Sequence, residues 1–356
     1  MPTYKRLAIK SRVHNYSALF VGDLKHGLRI LQGKKLFFIV DARIARLYRD
    51  TLKPVMRSHP HMVLEASERI KTLDYAKAII KRLIDSNIRK DFILVAIGGG
   101  VIQDITAFVA SILYRGIKWV FLPTTLLAQC DSCIGSKTSI NVDAYKNQVG
   151  NFYPPELVIL NVNFLKTLPQ PEIKSGLGEI IKVHLLDSIA SMRFIIKNYD
   201  ASLTNPEAMN KLILKSLLIK KRIIEKDEFD TGYRNIMNYG HTFGHALESL
   251  TRYRLSHGQA VTIGMDISNY LSWKLGYIRT HLYKEMKKLL QKNWPDYSLK
   301  DIDLKMFFSC LARDKKNTGN KITMILTKGP GRMIKKSLPR DGKFRKLIRS
   351  YFSQDN

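Results

Sequence analysis

Phe92-Ile-Leu-Val-Ala-Ile-Gly-Gly-Gly-Val-Ile-Gln-Asp104 decides the fold class. An unbroken apolar run from Phe92 to Ile97, too short for a helix, reads as a strand buried on both faces, and such strands belong to parallel sheets. Three glycines then turn the chain into a helical run. A strand, a glycine turn and a helix N-terminus make a phosphate cradle, because glycines let backbone N–H groups approach an anion that the helix dipole favours. Gly98-x-Gly100-x-x-Gln103 departs from the dinucleotide pattern, which has its third glycine where Gln103 stands. A tight strand-to-helix turn without a ligand is the plainer alternative.

The same pattern repeats outward. Leu36-Phe-Phe-Ile-Val40 closed by Asp41, His61-Met-Val-Leu-Glu65, Trp119-Val-Phe-Leu122 and Leu157-Val-Ile-Leu160 read as further strands, and Leu73 to Ile88 carries helical periodicity. Strands alternating with helices predict a doubly wound α/β sheet. The opening, to about residue 33, reads as extended chain and then a short amphipathic helix ending at Gly33. Beyond Leu168-Pro169 helical patterns dominate to about Cys310, with one late β-like run at Lys321-Ile-Thr-Met-Ile-Leu326. The expected organisation is an α/β domain over residues 1–168 and a mostly helical domain over 169–356. No internal repeat or low-complexity segment appears.

At 356 residues the chain is long enough for two cores, and 45% hydrophobic residues exclude a disordered protein. No stretch has the apolar length of a membrane span and the N-terminus lacks a signal-peptide core, so no membrane partner and a cytoplasmic location are expected. Three cysteines cannot form a disulfide framework; Cys130-x-x-Cys133 is expected to pack on a helix face rather than act as a redox pair or half a zinc site. The net charge of +29 raises nucleic-acid binding. The cations are scattered, however, with one concentration (Lys335, Lys336, Arg340, Lys343, Arg345, Lys346 and Arg349 against Asp341) and no recognition motif. A lysine-rich surface with a pocket for an anionic substrate is the expectation, and a nucleic-acid partner is not.

Chemistry concentrates in Asn238-Tyr-Gly-His-Thr-Phe-Gly-His-Ala-Leu-Glu248 and Ser256-His-Gly-Gln-Ala260. His241 and His245, four apart on a helical run, share a face, and His257 opens the next run. Imidazoles on adjoining helix ends suit a divalent metal, whose usual third ligand is a carboxylate. Glu248 lies roughly 10 Å along the axis from His241, too far to share its metal. Glu179, in Gly176-Leu-Gly-Glu-Ile-Ile-Lys182, is the better candidate. The plainer alternative is three satisfied histidines. Arginines, lysines, glycines and hydroxyls crowd between Arg115 and Asn151, and Lys220 and Arg234 add cations later; such groups suit a phosphorylated, polyhydroxylated substrate.

These stretches together resemble the 3-dehydroquinate synthase family of sugar phosphate cyclases. The resemblance is carried by Gly98-Gly-Gly-Val with Asp104, Tyr114-Arg-Gly116, Pro123-Thr-Thr-Leu-Leu-Ala128, Asp131-Ser-x-Ile-Gly-x-Lys-Thr138, Lys146-Asn147, Leu177-x-Glu-Ile-Ile-Lys182, Asn238-x-Gly-His-Thr-Phe-Gly-His245 and His257-Gly-x-Ala-Val261. It runs in order from about residue 36 to residue 328. It implies an NAD-binding first domain, a metal-binding helical second domain, zinc with cobalt as a substitute, and a homodimer. Glu179, His241 and His257 are then the ligands, and His245 a general acid–base residue.

The resemblance further implies catalytic roles for Lys137, Lys182 and Asp230. It implies substrate contacts from Arg115, Asp131, Lys137, Asn147, Lys182, Lys220, Arg234, Asn238 and one of Lys315 and Lys316. NAD contacts would come from Asp41, Glu68, Lys71, Gly99, Gly100, Asp104, Thr124, Thr125, Lys146, Phe164 and Thr167. The implied chemistry is transient oxidation of a ring alcohol by NAD+, phosphate elimination, return of the hydride, ring opening and an intramolecular aldol closure.

Several positions depart from the family pattern: Gln103 and Ser136 for glycines, Arg43 for an asparagine, Tyr145 for a glycine, and Asp230 for a glutamate. The expected reaction is formation of 3-dehydroquinate from the 7-phospho heptulosonate, because Arg234 and Asn238 keep the carboxylate-recognising pattern. The alternatives are a paralogue cyclising another sugar phosphate (2-deoxy-scyllo-inosose synthase-like or sedoheptulose 7-phosphate cyclase-like), an iron- or zinc-dependent alcohol dehydrogenase, and, remotely, a basic nucleic-acid-binding protein.

Overall fold

In the computed structural model, which describes residues 5–143, 145–252, 254–300, 302–313, 317 and 319–353, the apolar runs become strands of one sheet, with only the run at His61 on its edge. Its members are β1 (Arg6–Ile9), β2 (Tyr16–Phe20), β3 (Leu36–Asp41), β4 (His61–Leu64), β5 (Ile93–Gly98), β6 (Lys118–Pro123) and β9 (Leu157–Leu160). Between the last two, β7 (Ile140–Val142) and β8 (Tyr145–Val149) pair by themselves. The sheet order is β1-β2-β9-β6-β5-β3-β4, antiparallel only between β1 and β2. Its helices are α1 (Leu24–Arg29), α2 (Ala42–Leu47), α3 (Arg49–Ser58), α4 (Leu73–Asp85) and α5 (Gly100–Ile112). All six residues of β5 are buried, as the doubly covered strand requires. From β3 the chain steps to β4 on one side; β5 then lies on the other side of β3 and β6 continues away. The carboxyl ends of β3 and β5, at Asp41 and Gly98, therefore flank a topological switch point, where open α/β sheets take ligands.

The opening segment is extended and then helical, as expected, but it is paired and its helix is shorter. It is a hairpin, β1 with β2, that joins the sheet through parallel pairing of Ser17–Phe20 with Leu157–Leu160. Asp23 caps α1 through a 2.7 Å bond from the His26 N–H, and that helix ends at Arg29 rather than Gly33.

The chain divides into a first unit, Met1–Pro169 with Lys220–Phe229, and a second, Gln170–Ile219 with Asp230–Asn356. Lys220, expected in the second domain, thus groups with the first. The second unit holds α6 (Gln170–Asp187), α7 (Ile189–Ser202), most of α8 (Pro206–Lys226), α9 (His241–Leu250), α10 (His257–Lys274), α11 (Thr280–Gln291), α12 (Leu304–Ala312) and α13 (Gly342–Phe352). It also holds a hairpin, β10 (Lys321–Thr327) with β11 (Met333–Pro339), of which only the first strand was legible in the sequence. α10 is buried almost all round and packs on α6, α9, α11 and α13. Backbones meet on the α6 side: a Cβ on Gly178 would lie 2.1 Å from the Gly258 carbonyl oxygen.

One buried group makes this unit acid-sensitive. His184 of α6 is 0% exposed, stacks on Phe194, and neither ring nitrogen makes a hydrogen bond to the described residues. Burial, helped by the nearby Lys215 ammonium, pushes it down to about 4. The unfolded chain takes up this proton near pH 6.5 and the folded chain only near 4, so stability falls as pH drops through that window. The loss attributable to His184 is on the order of 3 kcal/mol. His184→Leu is expected to flatten the fall of denaturation midpoint between pH 6.5 and 4; an unaltered pH profile would show that His184 is not the cause.

Candidate functional site

Glu179 of α6, His241 at the start of α9 and His257 at the start of α10 come together in the second unit, their ligand atoms all within 4.8 Å of one another. The two imidazoles present the same nitrogen: His241 Nε2 lies 3.7 Å and His257 Nε2 3.6 Å from Glu179 Oε1. The opposite nitrogens are occupied. His241 Nδ1 meets the Tyr239 carbonyl at 3.2 Å and His257 Nδ1 meets Glu248 Oε2 at 3.2 Å, which makes the two Nε2 atoms, both turned to Glu179, the nitrogens that a cation would bind. Glu179 Oε1 is buried and has no hydrogen-bond partner among the described residues. A buried carboxylate oxygen left so costs on the order of 1–3 kcal/mol, and a divalent ion would satisfy it. The donor set fits zinc or cobalt.

Electrostatics follow the geometry. Burial alone would raise Glu179, but the Lys182 ammonium paired with it, and then His257, hold it below the usual carboxylate range. Burial would lower His257, yet Glu179 and Glu248 on either side push it up to about 10. His241, facing no such pair, is held well below its ordinary value by burial and by Lys182. Glu248 is the residue the sequence reading passed over. It was set aside for its distance along the helix from His241, whereas its partner is His257, nine residues on, across the α9–α10 turn.

His245 is exposed beside the cluster, its ring 5.2 Å from that of His241. Lys182 is 2% exposed and Arg234 5%, so Arg234 is no surface arginine. It lies on the 3₁₀ turn Tyr233–Asn238 that leads through left-handed Gly240 (φ 80°) into α9, and Asn238 ends that turn. Asp230 has φ 57°, with its carboxylate accepting from Asn235 Nδ2 at 3.2 Å. Lys315 and Lys316 lie outside the described residues.

In the first unit the expected NAD contacts follow the carboxyl ends of β3, β4, β5, β6 and β9, except Lys146, which lies on β8. Asp41 closes β3 and caps α2, and burial raises its carboxyl. Gly99 caps α5 where a Cβ would press on Thr125 Cγ2 at 2.9 Å, whereas a Cβ on Gly100 would point into open space. The first turn of α5 has no acidic residue, so its N–H groups face that space uncompensated. Thr124 is buried against Gly98; Phe164 is buried under Tyr48, whose hydroxyl meets Thr167 Oγ1 at 3.2 Å. Lys71 joins Asp104 (2.8 Å), Asn147 (3.0 Å) and Glu68 (3.9 Å). Burial pushes Asp104 up to about 6 despite that lysine. Lys146 is exposed on β8.

The remaining expected substrate groups of this unit sit on irregular backbone. Arg115 (φ 61°) and Asn147 (φ 55°) are left-handed, and Arg115 and Lys137 are exposed. Lys220 is buried and bridges Asp131 at both its carboxylate (2.6 Å) and its carbonyl (2.7 Å). Two departures from the family pattern acquire local reasons. Gln103 donates to the Ser132 carbonyl at 2.6 Å, tying α5 to the turn Ala128–Ser132. Ser136 keeps a glycine-like φ of 65° and donates to buried Glu228 at 2.8 Å. Glu228, 92 residues away, carried no sequence signal. Arg43 donates to the Thr167 carbonyl at 3.4 Å, and Tyr145 is 70% exposed. Cys130 and Cys133 are buried and unbridged, with the Cys133 thiol pushed up to about 12 by burial, the opposite of a reactive thiolate.

Family models match along both parts of the chain: 3-dehydroquinate synthase N-terminal over residues 61–175 and 3-dehydroquinate synthase C-terminal over residues 176–317. A 3-dehydroquinate synthase of Clostridium tetani is 36% identical over 303 residues, 84% of this chain and 81% of that protein. Among solved structures, 2-deoxy-scyllo-inosose synthase complexed with carbaglucose-6-phosphate, NAD+ and Co2+ superposes with a TM-score of 0.83 over 98% of this chain and 99% of that one, at 22% identity. A 2-epi-5-epi-valiolone synthase from Streptomyces hygroscopicus with NAD+ and Zn2+ bound gives 0.79 over 94% and 95%, also at 22%. At that identity the two structures speak to fold alone.

Proposed function

The chain belongs to the 3-dehydroquinate synthase family, and on that premise we propose that it converts 3-deoxy-D-arabino-heptulosonate 7-phosphate into 3-dehydroquinate and phosphate, in the shikimate route to aromatic amino acids. The observation that carries this reading is the Glu179, His241 and His257 cluster, two Nε2 atoms converging on a buried carboxylate oxygen that has no hydrogen-bond partner among the described residues. When bound there, a divalent ion supplies Lewis acidity, and NAD+ at the β3–β5 switch point supplies a hydride acceptor that is regenerated each turnover.

The chain's own residues supply the rest. Glu248 and the Tyr239 carbonyl fix the two ligand imidazoles in one tautomer. Lys182, paired with Glu179, keeps a positive charge beside the place where an alcohol would lose its proton. His245, exposed next to the ligands, is assigned proton transfer, with Asp230 as a second base. Arg115, Lys137 and Asn147 are assigned the phosphate and Asp131 and Lys220 the ring hydroxyls, with Asn238 and one of Lys315 and Lys316 completing the substrate contacts. A homodimer in the cytoplasm goes with this assignment; no helix among the described residues is long and apolar enough to cross a membrane.

Arg234 is assigned the substrate carboxylate, which a guanidinium can hold through two parallel hydrogen bonds and an ammonium cannot. Arg234→Lys is therefore expected to lower kcat/KM for the heptulosonate phosphate by about one to two decades while metal content and NAD+ affinity stay unchanged. Phosphate release is the readout, with zinc and NAD+ supplied and a heptulose phosphate lacking the carboxylate alongside. Equal turnover of the two substrates by the unaltered enzyme would transfer the assignment to a paralogue cyclising another sugar phosphate. The shortened base at Asp230, tied to Asn235, is the feature that favours that second reading.

A further inference from the structure

Far along the chain from the metal ligands, α12, the β10–β11 hairpin and α13 enclose a cavity of about 540 Å³. Lys305, Arg340, Arg345 and Arg349 line it together with apolar Phe308 and Ile322, and among the described residues no carboxylate does. Three of the seven cations concentrated near residue 340, which no recognition motif explains, thus line a concavity. Among the described residues none of these four cations forms a salt bridge. Asp341, the acid beside Arg340 in sequence, caps α13 by accepting from the Phe344 N–H at 2.8 Å. The guanidiniums are nonetheless positioned: Arg340 Nε donates to Asn320 Oδ1 at 3.0 Å, and Arg345 lies 5.6 Å from the centre of the Phe308 ring. Arg345 and Arg349, four apart on α13, share a face. Three arginines and a lysine around one void repel one another, Lys305, Arg345 and Arg349 being exposed to water and Arg340 half-buried, and a bound anion relieves that repulsion. A second cleft of about 480 Å³ adjoins it, sharing Leu304 and Arg349 and adding Lys346.

We propose that this cavity binds a small molecule carrying two or more phosphoryl groups on an apolar or aromatic body, the class of nucleoside polyphosphates. The charge fixes the first half of the description, because multiply charged phosphates are what clustered guanidiniums hold best. The Phe308 and Ile322 side fixes the second, and the volume falls in the ordinary range for small-ligand sites. None of the lining residues belongs to the metal or NAD assignments.

The test uses zinc-loaded enzyme saturated with NAD+, so that the dinucleotide site is filled, and calorimetric titration with ATP, adenosine and inorganic tripolyphosphate. ATP is expected to bind, tripolyphosphate to bind more weakly, and adenosine not at all. Raising salt from about 50 to 200 mM should weaken ATP several-fold. Arg345→Glu with Arg349→Glu is expected to weaken ATP at least about thirtyfold, with kcat/KM and melting temperature unchanged. If that pair fails to fold, Arg345→Gln with Arg349→Gln decides the matter, with a loss of at least about tenfold. No ATP binding, binding indifferent to these arginines, or tripolyphosphate binding as tightly as ATP would each overturn the proposal.

Discussion

Alanine in place of Gly258 is expected to cost about 3 kcal/mol or more of stability and to release the metal, although it adds a single methyl group. The new Cβ would lie 1.8 Å from the Ser175 carbonyl oxygen, and the Gly258 N–H already sits 3.1 Å from Ser175 Oγ. Real Cβ contacts essentially never fall below 3.0 Å, so α6 and α10 would have to part. The obstacle is helical backbone rather than the end of a flexible side chain, so no rotamer change relieves it. Chemistry is harmed with packing because the neighbours are functional: Gly178 precedes Glu179, and His257 precedes Gly258. Melting temperature should fall by roughly 6–12 °C and zinc retained after gel filtration should drop well below one per chain. Gly342→Ala, at a glycine that opens α13 and whose Cβ would meet nothing within 4 Å, is the matched control. Normal melting and metal content in Gly258→Ala would mean that the two helices do not meet through these glycines.

How legible a feature was in sequence depended on whether its cause was local. β3, β5 and β6 were readable because strands covered on both faces leave unbroken apolar runs. β11, Met333-Ile-Lys-Lys-Ser-Leu-Pro339, was not, since it is half exposed and its lysines look like any solvated surface. The β1–β2 hairpin escaped for a related reason: what makes it structure is pairing with β9, about 140 residues away. Among site residues, His241 and His257 were legible as ligand types at helix starts and Glu179 as an acid following small residues on a helix. Glu248 was misjudged because distance was measured along one helix, whereas its partner stands across a turn. Lys220 and Glu228 belong with the first unit through Asp131 and Ser136, and no local pattern can announce a partner about 90 residues off.

Glu179→Gln should abolish zinc-dependent stabilisation and lower kcat/KM by at least about a thousandfold. Glu179 is 1% exposed, yet its Oε1 has no hydrogen-bond donor among the described residues, while Oε2 is paired with Lys182. A core carboxylate satisfied on one oxygen only is costly, and its position between two Nε2 atoms says what the other oxygen is for. Glutamine keeps the shape and removes the anion. It would leave the ammonium of Lys182, 2% exposed, without that carboxylate, a change of about 3–5 kcal/mol in a buried pair. Two readouts separate the consequences. Metal-free wild-type and variant proteins report the lost ion pair through their difference in melting temperature. Adding zinc at about a hundred times its dissociation constant should then raise wild-type stability by about 2.7 kcal/mol and leave the variant where it was. Glu179→Asp, which keeps the charge but draws it back by one methylene, should fall between them in zinc affinity. A Gln variant still stabilised by zinc would place the metal elsewhere, with His245, Glu248 and His257, whose ligand atoms also lie within 4.8 Å of one another, as the set to examine next.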